Sequence, residues 1–458
     1  MDGLVKQCSK MSSLKVFTYG AGNFASQLSW TMVSTYLALF YTDVLGLEAA
    51  SVALLLLLAK TIDALCDPVL GAIMERTDTR WGRFRPYMFI GAPLLVVFTI
   101  LTFTVPGFGS TMNLLYAYVT YIGLSIAYSV VNVPYTALPA VITDNKDDVN
   151  RLTAANSMGM VLGMIILNLC TLPLVTYLGQ GNASAGYQST ATLYAVIALP
   201  IFLIVAKFSK EVIKVNRKRQ VSVRKSLKYI IYNKNLMMVL GYMIASTIAS
   251  LGRIGVCVYF YIYVVKDMRF ITIFMVMQMI MGAILMPFAP KIIGKFGKKS
   301  VCVVGNIFAM LGMAMMFFGP QTNIIYLFIS HIIYGLFSIT LPCGSGMLVD
   351  VVEETELKSK IRIDGTAFAL SNLGTKIGSA IGASVGMMVI GLFGYAAGQE
   401  VTAHVAYGIN FASNMVPLLF FAISTIPLLI YDLTEKKAKN IHEELQKERE
   451  GSETAPIM

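Results

Sequence analysis

The sequence predicts an all-α polytopic membrane protein with twelve transmembrane helices in two six-helix bundles. Of the 458 residues, 56% are hydrophobic and only 13% are charged, whereas soluble domains carry about 25% charged residues. About twelve apolar segments have the length of roughly 20 residues that a helix needs to cross a bilayer. A basic segment near the middle of the chain leaves six of these segments on either side.

Each apolar segment is assigned to one helix, because its length and composition fit one crossing of a bilayer. The first segment is too long for a cleaved signal peptide and lacks a small-residue cleavage pattern, so we expect the protein to retain it. The predicted spans have centres near Ser29, Leu58, Leu95, Ile126, Met164, Ile197, Ser250, Ile280, Met310, Tyr334, Ser379 and Leu418.

The net charge of +11 is concentrated in alternate loops. Basic residues cluster at both termini and in residues 76–85, 207–234, 291–299 and 358–362, while the loops between them hold Lys266 and Arg269. This positive-inside pattern predicts that both termini are cytoplasmic, and we expect a plasma (inner) membrane location. The basic residues orient the protein and contact anionic lipid; the pattern does not indicate a nucleic-acid partner.

The chain therefore divides into an N-terminal bundle (1–208), a central cytoplasmic loop (209–235), a C-terminal bundle (236–434) and a cytoplasmic tail (435–458). The tail is either a short amphipathic helix or disordered. A weak internal repeat favours duplication of a six-helix half, since Gly82 and Gly297 both lie among cations at the same point of each half. We expect a substrate site near the bilayer midplane between the halves, as in many secondary transporters.

Two carboxylates, Asp63 and Asp67, lie inside the second apolar segment. A charge at the bilayer centre costs at least about 2.5–3.5 kcal/mol on insertion scales. A spacing of four residues places both carboxylates on one side of a helix, with Lys60 one turn earlier. They are either acids at a helix end near the headgroups or a buried cation or proton site, and we favour the buried site.

Two further buried cations are candidates. Lys376 in span eleven can compete with a bound cation for Asp63 and Asp67 if spans two and eleven meet; the alternative is a static salt bridge between helices. Arg253 lies between two glycines in span seven and can hold a carboxylate or sulfonate with two hydrogen bonds, or it pairs with a carbonyl or an acid. We assign no role to His331, which is typical of a polar residue in a helix interface.

Several motifs resemble those of the glycoside–pentoside–hexuronide:cation symporters, a family of the major facilitator superfamily that includes the melibiose permeases. The most specific are residues 63–71 (DALCDPVLG) and 80–86 (RWGRFRP). Residues 41–46 (YTDVLG), 132–135 (NVPY), 350–365 and 376–380 (KIGSA) also resemble segments of this family. The resemblance covers nearly the whole chain and implies the major facilitator fold.

The resemblance also implies roles for single residues. It implies that Asp63 and Asp67 bind the coupling cation, that Lys376 contacts both cation and sugar sites, and that cytoplasmic charges close an inner gate. The predicted residues are Asp63, Asp67, Ser129 and Lys376 for the cation, Gln27, Tyr128, Asn132, Thr136, Arg253 and Lys376 for the substrate, and Arg83, Asp350 and Arg362 for the gate.

Some positions depart from the melibiose permeases. Gln27 and Asn132 replace aspartates of the sugar site, Thr136 replaces a tryptophan, and the span-five arginine is replaced near Ser157. Melibiose is therefore not the expected substrate. Cys66 replaces an asparagine that is associated with sodium use, and a thiol is a poor ligand for a hard cation. We therefore expect a proton as the coupling ion, with sodium as the alternative if Ser129, Asn132 or carbonyl oxygens complete the shell; in that case Asp63 and Asp67 are metal ligands.

The predicted function is cation-coupled symport of a sugar or glycoside, including pentosides and hexuronides, by alternating access. The alternatives are a related symporter of another amphiphile, such as a lysolipid, and a membrane sensor that does not transport. The sequence contains no nucleophile motif, no paired His cluster and no phosphate-binding glycine loop, so we do not expect an enzyme. We expect no cofactor besides the coupling ion.

Overall fold

The computed structural model describes residues 11–77, 79–107, 109–143, 145–209, 211, 233–266, 268–359, 364–396 and 399–453. These residues form helices and connecting turns. The helices of the first half are α1 (Ser13–Leu39), α2 (Ala49–Arg76), α3 (Arg85–Thr102), α4 (Ser110–Ala137), α5 (Pro139–Ile142), α6 (Lys146–Gly179) and α7 (Ala183–Phe208).

The second half has the same helical character. Its helices are α8 (Lys234–Tyr259), α9 (Met268–Leu285), α10 (Ala289–Phe296), α11 (Lys298–Phe318), α12 (Ile324–Gly335), α13 (Leu341–Ser359), α14 (Asp364–Leu392), α15 (Ala403–Asn410), α16 (Val416–Ile430) and α17 (Glu435–Glu453). Three π-helical turns, Phe40–Val44, Phe260–Val265 and Phe411–Met415, follow α1, α8 and α15. Such turns are rare and often occur at functional sites.

Within the described ranges, eleven helical segments are long and apolar enough to cross a membrane. The first helix, α1, is long enough at 27 residues, but polar residues such as Asn23, Ser26 and Gln27 lower its apolar content. With α1 the twelve predicted spans are all helical, which confirms the all-α polytopic fold. The protein is therefore an integral membrane protein that crosses the bilayer many times.

The chain forms two compact units. The first unit contains residues 1–217, and it also contains residues 254–259 and 390–402. The second unit contains residues 218–253, 260–389 and 403–458. Most of α8 and α14 therefore belongs to the second unit, while the C-terminal end of α8 and the residues that end and follow α14 belong to the first.

Small residues bring helices into backbone contact inside each unit. In the first unit, a Cβ on Gly159 of α6 would lie 2.0 Å from the carbonyl oxygen of Gly20 on α1. In the second unit, a Cβ on Gly382 of α14 would lie 2.8 Å from Cα of Gly252 on α8. Small residues of this kind allow close packing of membrane helices, where the hydrophobic effect does not drive association.

A glycine turn precedes one helix in each unit. Gly82 precedes α3 and has φ +104°, and Gly297 precedes α11 and has φ +80°, a backbone region that favours glycine. Backbone N–H groups of Arg83 and Phe84 each donate to the carboxylate of Glu211 at 2.8 Å. In the second unit, the N–H of Lys298 donates to Glu435 at 3.3 Å. Each carboxylate satisfies N–H groups at or just before the start of a helix, which have no partner within the helix.

The tail forms a helix over its described residues. Leu433 and Ala438 pack in one apolar cluster with Met347, Val351 and Val352 of α13. His442 of α17 also lies 3.1 Å from a carboxylate oxygen of Glu353 on α13. The tail is therefore a packed element of the second unit.

Candidate functional site

Asp63 is a buried carboxylate in the middle of α2, with 4% of its surface exposed. Ser129, which is 1% exposed on α4, donates a hydrogen bond from its hydroxyl to Oδ1 of Asp63 at 2.7 Å. The structure therefore brings together two of the four residues predicted to bind the cation. A hydroxyl and a carboxylate side by side supply oxygen ligands of the kind that hard cations prefer.

A small cavity lies beside this pair inside the first unit. Its lining includes Trp30, Lys60, Asp63 and Tyr128. The cavity volume is about 20 Å³. A single water molecule needs a cavity of about 10–15 Å³. The cavity therefore has room for a water molecule or a small ion beside Asp63.

Lys60 is a cavity residue to which sequence reasoning gave no site role. Its side chain is 8% exposed, and its Nζ atom lies 3.6 Å from the ring centroid of Trp30. An ammonium over an indole face is attracted by the quadrupole of the ring, most strongly where water is excluded. The spacing of three residues between Lys60 and Asp63 was the sequence signal that could have identified Lys60 as a site residue. The sequence around Lys60 gave no indication of its contact with Trp30, which lies on another helix.

Asp67 lies one turn after Asp63 and is half-buried. Pro68, inside α2, has no N–H group, so it donates no hydrogen bond to the carbonyl of Ala64 within the helix. That carbonyl belongs to the turn between the two carboxylates. Cys66, at the position associated with sodium use, is a half-buried free thiol.

The predicted sugar residues of the first unit lie on α1 and α4. Gln27 is 7% exposed; it donates to Asn23 at 3.3 Å and accepts from Thr31 at 3.2 Å. These three polar side chains form one stripe along α1, because residues three or four apart share a helix face.

Ser26 connects α1 to two other predicted sugar residues. Its hydroxyl lies 3.4 Å from both the hydroxyl of Tyr128 and Oδ1 of Asn132 on α4. The ring of Tyr128 also packs on Trp30, with centroids 5.4 Å apart. Tyr128 and Asn132 therefore belong to the polar contact region of α1 and α4, whereas the described hydrogen bonds of Gln27 stay within α1. Sequence reasoning missed Ser26 and Asn23, whose signal was the polar spacing within an otherwise apolar helix.

Thr136 differs from the other predicted sugar residues. Its side chain is exposed, and its hydroxyl donates to carbonyls of its own helix, those of Asn132 and Val133, at 3.1 and 3.0 Å. The structure gives no contact of Thr136 with the polar stripe of α1.

Arg253 and Lys376 belong to the second unit. Arg253 is 5% exposed; its Nη2 atom lies 3.2 Å from the sulfur of Met316, and its guanidinium lies 4.8 Å from the ring centroid of Tyr334. Lys376 is half-buried on α14, where its carbonyl accepts from Ser379 at 2.7 Å. The predicted cluster of Lys376 with Asp63 and Asp67 involves both units and stays a prediction.

His331, to which we assigned no role, is 1% exposed in the second unit. Its Nε2 atom lies 2.7 Å from the hydroxyl of Tyr261, and its Nδ1 atom lies 2.7 Å from the carbonyl oxygen of Leu327. Both ring nitrogens therefore have hydrogen-bonding partners inside this unit.

The three predicted gate residues lie apart: Arg83 at a glycine turn, Asp350 on α13, and Arg362 outside the described residues. Arg83 follows the first glycine turn and lies over the ring of Phe84 at 5.4 Å. Asp350 forms an ion pair with Lys298 at 2.8 Å, and Lys298 also pairs with Glu435 at 3.2 Å. Sequence reasoning therefore missed Lys298 and Glu435 as partners in this charge network.

The same charges affect a neighbouring phenol. Tyr431 is 1% exposed, and burial together with the nearby carboxylates of Asp350 and Glu354 raises the pKa of its hydroxyl well above its ordinary value. Its carbonyl accepts from the ammonium of Lys299 at 2.6 Å. The phenol therefore stays neutral at physiological pH, and its ring packs in the apolar cluster that contains Leu433 and Ala438.

A family model described as MFS/sugar transport protein matches residues 18–435. The chain belongs to this family. It is 32% identical to the isoprimeverose transporter of Lactiplantibacillus pentosus over 94% of the chain and 91% of that relative. It is 28% identical to the glucuronide carrier protein homolog of Escherichia coli (strain K12) over 94% of the chain and 95% of that relative.

Solved structures share the fold. A bacterial homolog of the human lysosomal transporter Spinster, in an inward-facing and occupied conformation, matches with a TM-score of 0.69 at 12% identity, over 93% of this chain and 97% of that one. The nucleoside transporter NupG matches with a TM-score of 0.63 at 15% identity, over 92% and 98%. The family match and the curated transporter relatives, rather than these structures, show that the protein is a multi-pass transporter of the major facilitator superfamily and not an enzyme, which confirms the resemblance seen in the motifs.

Proposed function

We propose that this protein is a cation-coupled symporter of a sugar or glycoside that works by alternating access. The observation that carries the proposal is the buried Asp63–Ser129 pair beside a cavity with room for a water or a small ion. A carboxylate at membrane depth is expensive and usually marks an ion or proton pathway. Membership of a sugar-transport family supports a sugar as the substrate that moves with the cation.

The proposed substrate is a glycoside, a pentoside or a hexuronide. Relatives at 32% and 28% identity are named an isoprimeverose transporter and a glucuronide carrier homolog, so a pentose-containing disaccharide and a glucuronide are the first compounds to try. The polar groups of Asn23, Ser26, Gln27, Tyr128 and Asn132 are neutral donors and acceptors, which suit sugar hydroxyls.

The proposed coupling ion is a proton, and the proposed location is a plasma (inner) membrane with both termini in the cytoplasm. A proton needs one carboxylate, whereas sodium needs several oxygen ligands. Cys66 offers sulfur where family members that use sodium have an oxygen-bearing side chain. Uptake into proteoliposomes should then follow a pH gradient and alkalinise the outside, and a sodium gradient alone should not drive it.

The decisive experiment replaces a carboxylate. Asp67→Asn should abolish concentrative uptake while leaving the protein in the membrane, because an amide neither exchanges a proton nor balances a cation. Glu48→Gln, an exposed carboxylate beside the start of the same helix, is the matched control and should transport normally. Accumulation of substrate by Asp67→Asn against a gradient would refute the proposed coupling site.

Lys376 has its own test. If it competes with the cation, Lys376→Ala should uncouple transport: counterflow of labelled substrate persists while accumulation fails. Normal accumulation in this variant would reduce Lys376 to a structural lysine. If no isoprimeverose, glucuronide or other glycoside is taken up by the wild type at any pH or sodium concentration, the sugar proposal is wrong.

A further inference from the structure

A compact polar cluster lies at the end of α1, away from Asp63. It is built on the π-helical turn Phe40–Val44, where the extra residue in the turn changes the direction of the side chains that follow. Thr42 is 1% exposed there, and Asp43 is half-buried. The transport chemistry proposed above uses neither residue.

One hydrogen bond within this turn and two that leave it connect the turn to two tyrosines. Oδ1 of Asp43 accepts from the hydroxyl of Thr42 at 2.6 Å and from the hydroxyl of Tyr395 at 2.5 Å. The oxygens of Thr42 and Tyr259 lie 2.8 Å apart. A threonine hydroxyl has one hydrogen; since its shortest contact is with the carboxylate, Tyr259 is the donor to Thr42. The carboxylate of Asp43 is therefore the common acceptor for Thr42 and Tyr395, and Thr42 in turn accepts from Tyr259.

The two tyrosines also contact each other and are buried. Their rings meet edge to face with centroids 5.5 Å apart, and the exposed fractions are 0% for Tyr259 and 6% for Tyr395. Both belong to the first unit, although the helices that lead to them belong mostly to the second. The same is true of Gly391, whose Cβ would lie 3.4 Å from Cβ of Ala49 on α2.

We infer that Thr42, Asp43, Tyr259 and Tyr395 form a latch that holds residues 254–259 and 390–396 in the first unit and opens once in each transport cycle. The inference rests on the proposed function, because only a transporter needs a reversible closure here. The charge pattern assigns the α1 end of the latch to the outside. Hydrogen bonds to a carboxylate suit a reversible contact, because water replaces them when the segments separate.

The chain contains its own reporter for this latch. Cys257 carries a thiol that is 4% exposed and donates to the carbonyl of Ile254 at 3.1 Å, two residues before Tyr259 and inside the held segment. While the latch is closed the thiol is covered, and when the segment leaves the first unit it becomes accessible. A membrane-impermeant maleimide added to intact cells therefore measures the opening of the latch, and the Cys257→Ser variant identifies the labelled site.

Tyr395→Phe keeps the ring and removes one hydroxyl donor to Asp43. We expect labelling of Cys257 to become about tenfold faster, the change that loss of a hydrogen bond to a charged group produces. Thr42→Val should act in the same direction. Tyr116→Phe is the matched control, since its hydroxyl donates to the carbonyl of Leu101 at 2.7 Å and not to a residue of the latch, and it should leave the rate unchanged.

Three results would overturn the latch. One is an unchanged labelling rate in folded Tyr395→Phe and Thr42→Val. Another is wild-type Cys257 that is never labelled, which would exclude periodic opening even if both variants failed to fold. The third is an equal acceleration by Tyr116→Phe. If the variants are labelled faster but the protein takes up no sugar, the proposed function is wrong and the latch stands. If the protein takes up sugar normally but the variants are labelled at the wild-type rate, the latch is wrong and the proposed function stands.

Discussion

Two glycine turns precede a helix, one before α3 in the first unit and one before α11 in the second, and they are stabilised by different kinds of contact. In both, a glycine with positive φ redirects the chain and a glutamate accepts N–H groups at the start of the next helix. In both, the glutamate comes shortly after the last membrane-crossing helix of its half: Glu211 follows α7, and Glu435, the first residue of α17, follows α16. The repeat seen in the sequence as a glycine among cations therefore extends to the capping carboxylate.

The difference lies in what the carboxylate bonds to. Glu211 accepts from the backbone N–H groups of Arg83, Phe84 and Arg85, at 2.8, 2.8 and 3.3 Å. Glu435 accepts one backbone N–H and the ammonium of Lys298, which also pairs with Asp350. The first turn is thus fixed by hydrogen bonds to the backbone, and the second by a side-chain ion-pair network.

These two solutions respond differently to change. Backbone N–H groups are present whatever the side chain, so the first turn depends mainly on Glu211 and on the space at Gly82. The second turn depends on three ionised side chains, of which Glu435 is 41% exposed. Ion pairs between partly exposed groups contribute little and are screened by salt. We therefore expect the first turn to be the more rigid of the two.

The largest expected effect comes from the glycines. Positive φ alone costs a residue with a side chain about 1–3 kcal/mol, so both Gly82→Ala and Gly297→Ala should lower the melting temperature of the purified protein. A Cβ at Gly82 would lie 2.5 Å from Oε1 of Glu211, whereas at Gly297 the nearest atom is Cβ of Glu435 at 3.5 Å. Gly82→Ala must therefore also displace the capping carboxylate, and its melting temperature should fall further.

Equal losses for the two glycine variants would show that the carboxylate of Glu211 moves without cost. Gly294→Ala is the control, because open space surrounds this glycine and it lies in α10 with an ordinary φ. It should leave the melting temperature nearly unchanged.

The glycines show how far the sequence alone can reach. Helix positions and the twelve spans follow from apolar content and length, which are local properties of the chain. The turn at Gly82 was visible as a glycine among cations. Its partner Glu211 was not, because it lies 128 residues from Arg83 and no local pattern singles out one acidic residue near the end of a helix.

The same limit applies to the candidate site. Asp63 stood out because a carboxylate in an apolar span is costly, and this cost can be read from one helix. Ser129 entered only as a possible oxygen ligand of sodium, and Trp30 beside Lys60 did not enter at all, because both lie on other helices. Thr136 shows the converse: a position taken over from the family carries a side chain that bonds to its own helix. Sequence thus locates the charges better than it locates their partners.

The second prediction compares the loss of stability when each of the two capping carboxylates, Glu211 and Glu435, is neutralised. Glu211→Gln keeps the shape of the cap but removes its charge, and hydrogen bonds to charged groups are worth about 1.5–3 kcal/mol. Glu435→Gln should cost less than about 1 kcal/mol, because its side chain is partly exposed and Lys298 keeps Asp350 as a partner. Chemical denaturation of the purified protein in detergent measures both. A larger loss for Glu435→Gln would reverse the proposed order of rigidity.

The smallest effect is the coupling inside the second turn. A double-mutant cycle of Lys298→Met and Glu435→Gln, made in an Asp350→Asn background so that no unpaired carboxylate remains beside the methionine, isolates the Lys298–Glu435 pair. We expect a coupling energy of about 0.2–1 kcal/mol in dilute buffer. It should nearly vanish in 1 M NaCl, where the Debye length is about 3 Å. The loss caused by Glu211→Gln should change little over the same salt range, because its hydrogen bonds run to backbone groups in direct contact. A coupling that survives high salt would mean that this pair is shielded from solvent, and the second turn would then be as rigid as the first.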